Sequence, residues 1–207
     1  MNIESQVGPQ ILADGAHGAI RLGKTGESVV QQLHGRYYEA AYRGRIFVAH
    51  AAAQAMTIAQ ASMVGLQLWN GSPISAGVNL VLMKCAGNIV ATSATVTSIV
   101  LASGTGQASP PTGQTAATRV ANAFLGQAAP NATATSAAVF TNAPTALWSL
   151  LHNTAAINTV GVDGGWQMDF DGAIIVPPQS WVCLATVGAT AAAGAVNASI
   201  MWEEVPA

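Results

Sequence analysis

Between Arg119 and Asp163 stand 43 residues, VANAFLGQAAPNATATSAAVFTNAPTALWSLLHNTAAINTVGV, without one Asp, Glu, Lys or Arg. Such a stretch confines the chain to folds whose surface is kept wet by hydroxyl, amide and backbone groups instead of ionic side chains. Disorder of the chain as a whole is not expected, because disordered segments combine low hydrophobicity with high net charge, whereas here 51% of residues are hydrophobic and the net charge is −2. Charged residues make up 8% of the chain, against about a quarter in an average globular protein. Ala, Thr, Gly, Ser and Asn take their place. With 207 residues the chain can bury a sizeable core in one domain and still carry an appendage.

The charges are unevenly placed. Nine of the sixteen fall in the first 45 residues, and beyond them Lys84 and Arg119 are the only cations. A phosphate-neutralising face needs several cations, so direct binding of nucleic acid is not expected. No apolar run approaches the roughly 20 residues of a membrane helix. The opening MNIESQVGPQ lacks the basic and apolar regions of a signal peptide. The expectation is therefore a protein made and kept in a cytoplasm until assembly. Cys85 and Cys183 each sit in an apolar, strand-like run, which predicts buried free thiols.

Residues 1–24 scatter turn residues such as Gly8-Pro9 and Asp14-Gly15 among short apolar pieces, the pattern either of an extended arm laid on a neighbour or of a disordered terminal segment. LGKTGESVVQQLHGRYYEAAYRG then reads as one amphipathic helix, with Thr25 or Gly26 near its N-cap and Gly44 at its end. Val30, Leu33, Tyr37 and Ala41 share one face at helical spacing and form a candidate partner-binding stripe. Gly35 inside this helix costs about 1 kcal/mol against Ala, so the helix depends on docking for stability.

From residue 45 the texture changes to short runs of Val, Ile, Leu and Trp punctuated by Gly, Asn, Ser and Pro, which predicts many strands. The runs are RIFVAHA, MVGLQLW, GVNLVLMKC, IVATSATVTSIVLAS, AVFT, WQMDF, AIIV, SWVCLATV and NASIMWEEV. RVANAFLG and ALWSLLHN are read as short helices at most, and SGTGQASPPTGQTAAT and GQAAPNATATS as long loops. Pro177-Pro178-Gln179-Ser180 forces a corner between two apolar strands, as where a chain crosses between sheets. The fold class predicted is mainly β: an antiparallel, jelly-roll-like β-sandwich over residues 45–207, preceded by an arm and helix over 1–44. In GVNLVLMKC the residues on both faces are apolar, and the cover for the second face is most simply another subunit.

Candidate chemistry is sparse. The histidines His17, His34, His50 and His152 lie in no nucleophile motif. Asp163, Asp169 and Asp171 form the one carboxylate cluster of the strand-rich region and are the weak candidates for a metal. A calcium loop or a carboxylate pair is the functional reading, and a solvated strand end with Asp169 and Asp171 flanking Phe170 is the plainer one. Trp69, Trp148, Trp166, Trp181 and Trp202 serve either as core anchors or as stacking platforms for sugars. No cofactor is implied, and no catalytic residue is assigned.

The stretch ILADGAHGAIRLGKTGESVVQQLHGRYYEAAYRGRIFVA, followed by a low-charge body ending in VPPQSWVCLATV and ASIMWEEVP, resembles virion structural proteins of tailed bacteriophages. The resemblance is to the capsid cement or decoration type, in overall plan and without a diagnostic motif. It implies a homotrimer seated on a shell, bridging major capsid protein subunits against the pressure of packaged DNA. The competing expectations are a glycan-binding sandwich and a fibre or tail component.

Overall fold

The computed structural model describes residues 35–55, 58–59, 62–91, 98–116, 119–142, 144–152, 164–186 and 194–207. The chain divides into two units, Met1–Glu39 and Ala40–Ala207. Within the first unit, Tyr38 N donates to Gly35 O in a turn. The helix α1 is Tyr38–Tyr42, and Gly44 follows with φ 67°, the left-handed conformation that stops a helix. The predicted amphipathic helix is thus corrected over its last part: Gly35, Arg36 and Tyr37 lie outside it, as expected where glycine weakens a helix. Ala41 is in the helix and half-buried, while Val30 and Leu33 lie outside the described residues.

Among the described residues twelve strands follow: β1 Ile46–Ala55, β2 Ile58–Ala59, β3 Ser62–Asn70, β4 Val78–Ala91, β5 Ser98–Gly104 and β6 Thr112–Ala116, then β7 Arg119–Asn122, β8 Thr133–Val139, β9 Thr145–His152, β10 Gly164–Val176, β11 Ser180–Thr186 and β12 Gly194–Pro206. Their pairing is nested. The partner of β1 is β12, that of β3 is β11, that of β4 is β10 and that of β5 is β9, all antiparallel. Eight strands therefore form one long hairpin ribbon that rolls up into two facing sheets, ordered β1-β12-β4-β10 and β3-β11-β5-β9. This is the jelly-roll arrangement the sequence predicted. An excursion between β5 and β9 adds β7 beyond β1 in the first sheet, and β8 and β6 beyond β3 in the second. The proline corner 177–179 carries the chain from β10 in one sheet to β11 in the other.

RVANAFLG and ALWSLLHN contribute the strands β7 and β9, not helices. Cross-strand partners override a weak helical preference. WQMDF and AIIV are one strand, β10, interrupted where its register against β4 shifts between Asp169 and Ile174. Asp171 and Gly172 occupy this bulge with φ 51° and 84°.

Alternation along the strands sends one set of side chains between the sheets. Leu66 and Leu68 from the second sheet meet Leu80, Leu82, Ile200 and Trp202 from the first, all buried. Each such side chain contributes roughly 1.5–3 kcal/mol on burial. The second sheet also buries its outer face, where Trp69, Val100, Ala102, Phe140, Trp181 and Cys183 form a separate cluster. The cover there is this chain's own. The Phe140 ring stacks on Trp181 with centroids 3.9 Å apart. Gln107 holds the covering loop: its backbone oxygen accepts from Trp69 Nε1 (3.0 Å), and its side-chain oxygen accepts from Thr141 N (2.9 Å). On β4, Met83 is buried as well, and Val81 is half-buried beside the Gly172 bulge.

Two of the tryptophans face glycine directly across a strand pair, Trp181 opposite Gly104 and Trp166 opposite Gly87. The missing side chains make room for the indoles. A Cβ at Gly104 would lie 2.5 Å from Trp181 Cζ2, and one at Gly87 would meet the backbone oxygen of Asn197 first and lie 2.6 Å from Trp166 Cζ2. Gly104→Ala and Gly87→Ala should each destabilise the protein by about 1–3 kcal/mol through overpacking. Gly35→Ala, where a Cβ meets nothing within 4 Å, should be neutral or slightly stabilising. Denaturant midpoints for the three variants check this, and equal shifts would show that the Trp–Gly contacts are not tight.

Candidate functional site

The strand pairing decides what each polar group is near. Asp169 lies opposite Lys84 in register, and the two side chains make an ion pair at 3.6 Å on a half-exposed face. Asp171 points to solvent from the bulge, where aspartate tolerates left-handed backbone better than most residues. Asp163 lies outside the described residues. Among the described residues no group of three His, Cys, Asp or Glu side chains could hold a metal ion. The bulge gives Asp171 a structural use, since Asp-Gly suits the two left-handed positions.

His50 and Ser199 are cross-strand neighbours on β1 and β12, and His50 Nδ1 shares a hydrogen bond of 3.0 Å with Ser199 Oγ. They line a shallow depression with Ala86, Gly87, Asn88, Asn197 and Ala198. No carboxylate is among these residues, so the imidazole lacks the orienting acid of a nucleophile triad. His152 belongs to β9, while His17 and His34 lie outside the described residues.

Four of the five tryptophans are buried, and only Trp148 is exposed, at 50%. Trp148 stands edge-on to Phe170, with ring centroids 6.4 Å apart. The indoles therefore anchor the core and do not make a shared stacking platform. Trp166 Nε1 and Trp181 Nε1 are buried without an acceptor among the described residues.

Sequence reasoning missed the polar groups that organise the loops. Buried Asn70 donates from Nδ2 to Val78 O (2.6 Å) and Val176 O (3.0 Å), and its own backbone oxygen accepts from Gln179 N (2.7 Å). It thereby ties the end of β3 to β4, β10 and the proline corner. Buried Glu204 accepts from Asn131 N (3.1 Å), Asn131 Nδ2 (2.7 Å), Ala132 N (3.0 Å) and Trp202 Nε1 (3.4 Å). These donors fix the entry to β8. No sequence signal marks either residue, because each gains its partners only through pairing of distant strands.

Both cysteines are free thiols, buried on opposite faces of the strands: Cys85 in the main core and Cys183 in the outer cluster. Burial, helped by nearby Asp169, pushes the Cys85 thiol up to about 12, and burial pushes Cys183 up as well. Among the described residues no helix is long and apolar enough to cross a membrane. Large apolar side chains also remain exposed: Ile175, Trp148 and Leu147 at the edge strands β9 and β10, Leu125 in the loop beyond β7 and Ile74 in the loop before β4.

The thiols provide a direct check of the packing. Both should stay unreactive to a disulfide reagent at about pH 8 and react at once on unfolding. Each folded pKa is raised, so the stability involved is fully present below the unfolded value of 9.0 and falls as pH rises above it. The loss should be about 1.4 kcal/mol per pH unit for each thiol ionised only when unfolded. Cys183→Ala should flatten that slope in alkaline denaturation curves.

No family model, no curated protein and no solved structure matches this chain.

Proposed function

We propose that this chain is a non-enzymatic structural protein of a virion, of the capsid cement or decoration type. In this reading it is a homo-oligomer, a trimer by expectation, that bridges major capsid protein subunits on a shell assembled in the host cytoplasm. The observation that carries it is the placing of exposed apolar side chains. Tyr42, Leu125, Trp148 and Ile175 lie at the edges of the sheets or just beyond them, not in an enclosed cleft. Residues so placed serve contacts with other chains better than they serve a small ligand.

Composition supports the same reading. A surface of Ala, Thr, Ser, Asn and Gly loses little side-chain entropy on burial and has few charges to desolvate, which suits extensive symmetric contacts. The eight-stranded jelly roll is shared by capsid and lectin domains, so the fold is compatible with the role without selecting it. A glycan-binding role fits less well, because a single tryptophan is exposed. The reading needs no cofactor, nucleic acid or membrane.

The test is co-sedimentation of the purified chain with DNA-free shells assembled from the major capsid protein of the same virus. Saturable, stoichiometric binding that raises the temperature of shell rupture is the expected result. No binding at tens of micromolar would overturn the proposal. Deleting residues 1–24, the predicted arm, should abolish attachment while leaving the β-sheet circular dichroism unchanged.

A further inference from the structure

Apart from Ile74 in the loop between β3 and β4, the most exposed aliphatic side chains stand at two opposite edges of the sandwich. At one edge β9 and β10 end their sheets, and Leu147 and Ile175 project there, 48% and 59% exposed. Both line a cavity of about 90 Å³ whose walls include Ile174, Val176 and Trp181. That is well below the roughly 300–1,000 Å³ of small-molecule pockets and suits a single aliphatic side chain. At the other edge β7 ends the first sheet, and in the loop just beyond it Leu125 is 82% exposed. Its neighbour Phe124 is held by a ring stack on Tyr42 at 5.9 Å.

The register sets the end of β7, which Leu125 follows, at the height of the cavity. Asn122 at the end of β7 aligns with Phe47, Phe47 with Trp202, Trp202 with Leu82, and Leu82 with Ile174 on β10. One row earlier, Ala121 aligns through Val48, Met201 and Lys84 with Asp169. Four antiparallel steps separate β7 from β10, so the two strands run in the same direction. On each edge a charge precedes the apolar group, and the signs are opposite: Arg119 on β7 stands level with Gln167 on β10, two residues before Asp169 and within reach of it for so long a side chain.

Within one chain the two edges are four strand spacings apart, about 19 Å, and cannot meet. Between copies they can. A knob and a hole on opposite edges make a head-to-tail contact, and equal height lets rotation about an axis along the strands close it without a helical rise. We propose that Leu125 of one copy seats in the β9–β10 cavity of the next, with Arg119 facing Asp169, in a closed ring of identical chains. The occupant of the cavity is thus a second copy. This deepens the oligomer of the preceding reading but does not depend on a shell.

The experiment is the absolute mass of the full-length chain by light scattering, over about a hundredfold range of concentration. The native chain should give one closed oligomer. Leu125→Asp and Ile175→Asp should each give monomers, while Leu125→Met keeps the ring. The decisive sample is an equimolar mixture of the two Asp variants, in which the sound knob of one meets the sound cavity of the other. It should yield a particle of two protomers and nothing larger. Both variants change exposed side chains, and unreactive thiols confirm that each is folded. A native chain that is monomeric throughout overturns the proposal, as does a single variant that dimerises with itself, which would mean a two-fold contact. Oligomers indifferent to Leu125→Asp overturn it too, and point to another occupant, residues 1–34 first. Rings that ignore shells would sink the cement reading and leave this contact standing, and monomers that bind shells would do the reverse.

Discussion

The rest of the fold depends on Trp181 being clamped between Gly104 on the neighbouring strand and the ring of Phe140. The indole is fully buried on what would ordinarily be the solvent face of a sandwich. Water is thereby excluded from the outer side of β3, β5 and β11, and Cys183, Val100 and Trp69 are buried with it. The excursion between β5 and β9 exists on this account: it brings Phe140 and the Gln107 loop over a face that the chain has no charges to solvate. A third layer made of loops replaces the usual polar exterior.

The chain uses its polar groups inward. Asn70, Gln107 and Glu204 are buried, and each holds several partners from loops and strands far apart in sequence. A polar group buried with its partners costs little, and one left unpaired costs about 1–3 kcal/mol, so each residue fixes one loop arrangement against its alternatives. This is how loops rich in Gly, Ala and Thr acquire a single shape without a large apolar content.

Strands with strong contrast were legible in the sequence. MVGLQLW, SWVCLATV and NASIMWEEV each became a strand, and the proline corner between β10 and β11 was recognised from Pro177-Pro178 alone. The excursion was not. The strands β6 (TGQTA) and β8 (TATSAAV) are built of small and hydroxyl-bearing residues that show no apolar alternation, so the sequence reads β6 and the first half of β8 as loop, and only the run AVFT reaches the end of β8. Their pairing is decided by neighbours supplied from β3, information that a local window does not contain. The face carrying Val30 and Leu33 lies outside the described residues. The apolar edges escaped notice for another reason: Leu125 and Ile175 look like core residues in sequence, and only the topology shows them outside.

The nested pairing has a consequence for how the protein is made. The two ends of the ribbon, β1 and β12, are partners, so the inner sheet position between β1 and β4 stays vacant until residues 194–206 have been synthesised. Only the middle of the ribbon, β5 with β9, can close early, and even that pair must wait for the intervening excursion. Contacts so distant in sequence make folding slow, and the growing chain exposes unpaired strand edges meanwhile. A chain with so little net charge has weak electrostatic protection against aggregation during that interval, so its yield in a cell should depend on translation speed and on chaperones.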